Sequence, residues 1–221
     1  MARSKLDMKA FEKVGKYKEL LLLGILLIFY AVGTVGILSD QRDWFLSLSP
    51  FNLLLSFVCL LLSYKRLSFS LGITIFIAAG IGFLAELIGV HTGFLFGDYW
   101  YGENLGTKLF EVPLIIGVNW AMLSLISTAF FLNSKQSIWV KALFSTSVMT
   151  ALDVIMEPVA MQSDFWQWAG GQIPIYNYVC WWVIGYLVHL ILYKHRLHEQ
   201  NKVSVGLFFI LILFFLILNW L

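Results

Sequence analysis

Ala151-Leu152-Asp153-Val154-Ile155-Met156-Glu157-Pro158 closes an apolar run that begins near Ile138, and reading it as membrane-spanning helix decides the fold. The run over 138–160 is long enough to cross a bilayer, which takes roughly 20 apolar residues. It nonetheless carries two acids four residues apart, and Glu86 occupies an equivalent place in an earlier apolar run. Ionisable groups at such positions are costly and usually serve a function.

The rest of the chain agrees with a membrane setting. Of its 221 residues, 60% are hydrophobic and 13% charged, against about 25% charge in an ordinary soluble domain. Further apolar runs cover 18–38, 45–64, 68–90, 112–132, 176–193 and 203–221. These predict an all-α polytopic membrane protein, a single membrane domain over 1–221 with about seven transmembrane helices. Ser49-Pro50 suits an N-cap and first helical position, so the second helix is expected to be short.

Basic residues set the expected orientation. Thirteen of the fifteen fall on one side: Arg3, Lys5, Lys9, Lys13, Lys16, Lys18, Lys65, Arg66, Lys135, Lys141, Lys194, Arg196 and Lys202. Only Arg42 and Lys108 remain for the other. The N-terminus is therefore expected inside, with 1–17 a basic cytoplasmic segment, and the C-terminus outside. The apolar run after that segment is too long for a signal peptide and lacks a small-residue cleavage site, so it reads as an uncleaved helix. The net charge of +2 gives no reason to expect nucleic acid; the expected partner is the bilayer.

Cys59 and Cys180 lie in separate apolar runs and lack metal-ligand spacing. The histidines His91, His189, His195 and His198 form no clustered metal box. His195 and His198 belong to a basic inner loop, and His189 reads as a packing residue. No metal and no cofactor are expected.

With that topology the polar residues gather near one surface. At about 1.5 Å rise per residue, Glu86 lies about 6 Å from the outer end of its helix, Asp153 and Asn119 about 10 Å, and Glu157 about 5 Å. Asn177 opens its span at the same surface. Asp153 and Glu157 share a helix face. Burial, a like-charged neighbour and the helix C-terminal pole all favour the neutral acid there. Such an acid can protonate a poor base in a dry pocket; the plainer reading is a hydrogen-bonded network that fixes helix packing.

Each outer loop carries an acid followed by aromatics, Asp98-Tyr99-Trp100-Tyr101 and Asp164-Phe165-Trp166-Gln167-Trp168. Interfacial rings are common, yet aromatic faces also stabilise cations, and Trp120, Trp181 and Trp182 fall at the same level. A faint internal echo joins the two halves. An acid (Glu86; Glu157) leads to Asp-aromatic-Trp, then to a proline (Pro113; Pro174) opening a helix with an Asn-aromatic pair (Asn119-Trp120; Asn177-Tyr178). Ala78, Gly82, Ala85 and Gly89 permit close helix approach.

Taken together, Glu86 to Tyr101, Val112-Pro113-Leu114-Ile115-Ile116-Gly117-Val118-Asn119-Trp120, Asp153 to Pro158 with Trp166 and Trp168, and Ile173-Pro174-Ile175-Tyr176-Asn177-Tyr178 resemble the CruF-like carotenoid biosynthesis family. The resemblance covers most of the chain from the third to the sixth run, with the core of the site in 68–193. It implies an integral membrane carotenoid 1,2-hydratase of a prokaryotic cell (inner) membrane, adding water across the terminal double bond of an acyclic ψ end group without a redox cofactor. A carotenoid substrate follows, as does association with other carotenoid enzymes. One departure concerns Glu157, where the family pattern has Asp before the proline; the resemblance carries over to Asp153 more directly.

Alkene hydration starts with protonation at carbon and leaves a tertiary cation that water captures. On this reading Asp153 first and Glu86 second are candidate proton donors, with Glu157 their partner. Asn119, Trp120, Asp98, Tyr99, Tyr101, Trp166, Trp168 and Asn177 are candidates to hold substrate, cation or water. Buried acids without a cofactor motif also fit a proton-coupled transporter, a non-catalytic carotenoid-binding protein, or an end-group cyclase that excludes water.

Overall fold

The computed structural model describes residues 2–195 and 201–220, with side chains described from residue 15 onward. Arg196 and His198 lie outside the described residues, as do the side chains of Arg3, Lys5, Lys9 and Lys13. Eight helices occur among the described residues: α1 (Ala2–Ile37), α2 (Arg42–Ser47), α3 (Ser49–Ser63), α4 (Phe69–Thr92), α5 (Ile115–Thr128), α6 (Ile138–Gln162), α7 (Ile175–Lys194) and α8 (Lys202–Trp220). Four short strands lie in the connections: β1 (Tyr99–Tyr101), β2 (Lys108–Leu109), β3 (Val112–Pro113) and β4 (Trp166–Trp168).

Every apolar run read from the sequence is largely helical, and five helices are long and apolar enough to cross a membrane: α1 from Gly15, α4, α6, α7 and α8. Where seven spans were expected, the other two runs give the shorter apolar helices α3 and α5, of 15 and 14 residues. The reason is clearest for α5, which is buried at all but two of its positions and packs against α3, α4, α6, α7 and α8. A helix enclosed by protein has no lipid-facing length to fill, because irregular backbone is tolerated where neighbours satisfy it.

Three boundaries differ from the sequence reading. Pro113 does not open α5; it pairs with Lys108 in the β2–β3 hairpin, whose turn places Phe110 and Glu111 at φ 50° and 66°. Ser49 is the first residue of α3 instead of its cap, since the chain leaves α2 through Leu48 at φ −85°, ψ −1° without departing from helical backbone. Pro158 lies inside α6, which continues to Gln162.

Helix starts follow local chemistry. The Ser68 and Ser137 hydroxyls accept from the N–H groups of Leu71 and Val140, capping α4 and α6. α4 ends where Gly93 turns left-handed at φ 64° and its N–H bonds to Gly89 O. Arg42 reaches across to the last turn of α6, donating to Gln162 O at 2.9 Å, and so ties α2 to the end of the bundle that carries the loops. Deeper in the bundle His189 is fully buried, bonded to Ser127 Oγ at 2.8 Å and Gly185 O at 2.6 Å. It joins α5 to α7.

The small residues of α4 have a specific task. A Cβ on Gly82 would run into the Trp120 indole, and one on Gly89 would crowd Phe96 and the Tyr99 hydroxyl. Both glycines make room for rings that reach Glu86. Gly82→Ala is therefore expected to destabilise the protein by about 1–3 kcal/mol through overpacking, read as a lower Tm in detergent. Gly72→Ala, whose new methyl would meet nothing within 4 Å, should leave Tm unchanged or slightly raised.

Candidate active site

Glu86 is 3% exposed near the end of α4. Its Oε2 accepts from the Tyr99 hydroxyl at 2.5 Å and the Tyr101 hydroxyl at 2.7 Å, while Oε1 accepts from Trp120 Nε1 at 3.0 Å. Tyr99 and Tyr101 reach the same carboxyl because alternate residues of a strand point the same way. The intervening Trp100 is exposed.

Glu157 has a matching shell. Its Oε2 accepts from Trp166 Nε1 and Trp168 Nε1, both at 2.9 Å, and Oε1 accepts from Asn177 Nδ2 at 2.8 Å. Again two donors come from alternate residues of a strand and the third from the next helix. The two strands pair antiparallel, Tyr99 opposite Trp168 and Tyr101 opposite Trp166, so a single two-stranded ribbon supplies four donors to two acids. Its rings contact across the pair, with centroids 5.1 Å apart for Tyr99–Trp168 and 6.3 Å for Tyr101–Trp166. Trp120 stacks on Trp181 at 4.1 Å and 14°.

Between the acids lies a cavity of about 20 Å³ lined by Glu86, Glu157, Asn177, the four ribbon rings, Phe96, Ile116 and Trp181. That volume holds a water molecule. Asp153 sits one turn before Glu157, fully buried beside Asn177. Neither of its oxygens has a partner in good hydrogen-bond geometry among the described residues; the neighbouring Asn177 amide gives one of its two N–H groups to Glu157, and Asp153 itself does not line the cavity.

Of the residues singled out from the sequence, the structure brings Glu86, Glu157, Tyr99, Tyr101, Trp120, Trp166, Trp168 and Asn177 together, with Asp153 behind them. Asn119 is buried in α5 but does not line the cavity; its neighbour Trp120 contacts the acid instead. Asp98 is exposed, and it is its backbone carbonyl that accepts from Ala169 N, at the edge of the ribbon. Phe96 was not anticipated. It is buried at φ 68° and meets Tyr99 edge-on, a backbone conformation unusual enough in a bulky residue to mark a constrained site.

The model of the carotenoid biosynthesis protein family matches residues 48–221. The chain belongs to that family. Among curated proteins, a bisanhydrobacterioruberin hydratase of Haloarcula japonica is 28% identical over 113 residues, covering 45% of this chain and 37% of that protein. The match therefore spans little more than a third of the relative's length. No solved structure matches the chain. The family match takes in both acid shells and every residue of the cavity.

Burial first, and then the charge of Glu86, push the Tyr99 and Tyr101 hydroxyls well above the usual phenol range. Phenols held neutral by the fold stabilise it fully below pH ~10 and progressively less above it. In a spectroscopic alkaline titration these two tyrosines should remain silent while the protein is folded. Tyr99→Phe/Tyr101→Phe should accordingly give the same absorbance change as wild type up to about pH 11; a smaller change would show that they titrate normally.

Proposed function

We propose that the protein is a carotenoid hydratase that adds water across the terminal 1,2 double bond of an acyclic ψ end group. The observation that carries this reading is the water-sized cavity between two buried carboxyls, walled by indole and phenol rings, in a member of a carotenoid biosynthesis family. The relative's name, a hydratase, agrees with it. An end-group cyclase needs the same acid but no place for water beside it.

The hydrogen-bond inventory suggests a division of labour. All three contacts to Glu157 come from N–H groups that cannot accept a proton in return, so Glu157 serves as acceptor and holds the water. Asp153 has no partner; as the neutral acid it has a free O–H and donates the proton to carbon. Glu86 is the second candidate, because the Tyr99 hydroxyl can turn to Glu86 O, 3.3 Å away, and then accept from the carboxyl. Protonation at C2 leaves a tertiary cation at C1, faced by Tyr99, Trp166, Trp168 and Trp181. Water held between Glu157 and Asn177 adds at C1, and its proton returns to the acid. The balance is one water consumed, with no oxidant or reductant.

The same reading puts the chain in a prokaryotic cell membrane as one domain over 1–221, N-terminus inside and C-terminus outside, with α3 and α5 counted among seven crossings. The site belongs to 68–193. The carotenoid reaches it from the bilayer, and neighbouring carotenoid enzymes supply and remove it.

Expression in a host that accumulates an acyclic-ended carotenoid tests the function. Pigment heavier by one water supports the hydratase; an isomer of equal mass points to a cyclase, and unchanged pigment to a transporter or binding protein. Asp153→Asn should lower the rate at least ~10²-fold and Glu86→Gln by a similar or smaller factor, the range for losing a general acid. Full activity in both, in well-expressed protein, rejects the mechanism.

A further inference from the structure

The acid cavity, at about 20 Å³, is far too small for the length of a polyene, so the chain beyond the reacting end needs space elsewhere. A second cavity of about 320 Å³ lies between α1, α2, α3 and α8. It touches the acid site through two wall elements. Phe165 reaches it while the next residue, Trp166, lines the acid cavity. Leu123 of α5 faces it one turn from Trp120, the donor to Glu86.

The walls are rich in rings, among them Phe29, Trp44, Phe45, Phe51 and Phe214. Several at the rim are exposed, including Trp44 and Phe51, so the cavity opens sideways towards lipid. Polar groups on the wall are few. The Tyr30 hydroxyl is spent on Ser56 Oγ at 3.2 Å, whereas the Asn52 side chain lines the cavity and its Oδ1 is buried without a hydrogen-bond partner among the described residues. A buried amide oxygen left unpaired costs about 1–3 kcal/mol, and a rotation of the Asn52 amide towards the cavity would let a ligand hydroxyl relieve it.

We propose that this second cavity binds the hydroxylated end of a linear isoprenoid polyene, with the Asn52 amide as its polar anchor. Conjugated chain packs on the rings and branch methyls fill the width, neither of which a straight saturated acyl chain offers. A hydroxyl on an isoprenoid end is what the reaction proposed above creates, and the inference rests on that reading for its place in catalysis. The hydrated end group moves past Phe165 and is held there, which clears the acid site for the next alkene.

Binding tests this independently of turnover. The protein in lipid nanodiscs is titrated with a linear polyene bearing a tertiary-alcohol end and with its parent hydrocarbon, by quenching of tryptophan fluorescence. Wild type should bind the alcohol roughly three- to tenfold more tightly, the value of one net hydrogen bond, and Asn52→Leu should bind both alike. Gly33 lines the cavity and its Cβ would meet nothing within 4 Å, so Gly33→Phe fills the void without disturbing the helix. It should weaken binding of both ligands roughly tenfold or more at unchanged Tm. Unaltered binding in Gly33→Phe, equal affinity for alcohol and hydrocarbon in wild type, or displacement of the alcohol by saturated acyl chains at equal concentration would each overturn the proposal. If pigment mass never changes while these binding results hold, the hydratase reading fails and the cavity stands.

Discussion

Inside a bilayer a carboxyl group cannot turn to water for its hydrogen bonds, and an unpaired polar group there costs several kcal/mol. Glu86 and Glu157 are both buried at membrane-helix ends, and six donors from β1, β4, α5 and α7 converge on them. Much of the end of the bundle that carries the strands follows from that requirement. The loops after α4 and α6 must return as strands so that alternate residues face inward, the strands must pair so that both sets of rings are held, and Gly82 and Gly89 must lack side chains so that Trp120 and Tyr99 can reach the acid.

The two shells are alike in layout and different in chemistry. Hydroxyls and one indole surround Glu86, whereas indoles and an amide surround Glu157. A phenol can reverse its hydrogen bond and an indole cannot, so the hydroxyls around Glu86 can pass a proton, whereas the N–H groups around Glu157 can only donate to it. Asp153 stands apart from both, buried and unpaired one turn from Glu157. A native structure retains few such groups, and the proton-donor role proposed for Asp153 would account for this one.

Much of this was legible in the sequence, for physical reasons. Apolar runs announce membrane helices, acids within them announce a site, and the run of aromatic residues after each acid announced what surrounds it. The internal echo was sound in its acids and off by one in its register. Aligning Asp98-Tyr99-Trp100 with Asp164-Phe165-Trp166 matches Trp100, which points outward, with Trp166, which points in. A one-residue slip exchanges the faces of a strand, and three-residue strands carry too little alternation to fix it from sequence. The same slip separates Asn119, which does not line the cavity, from Trp120, which bonds to Glu86. The short α5 was hidden because its apolar run continues into residues that form a hairpin on one side and a turn on the other. The second cavity could not be read at all, since it depends on how five separate segments fail to fill a space.

If the central claim holds, the hydrogen that enters the substrate at carbon comes from a carboxyl in exchange with solvent, and the oxygen from water. Running the reaction in deuterated water and examining the product after back-exchange of its hydroxyl tests this most directly. The account predicts one deuterium retained at C2, next to the carbon that carries the new tertiary hydroxyl. A hydrated product with no deuterium at C2 would contradict it.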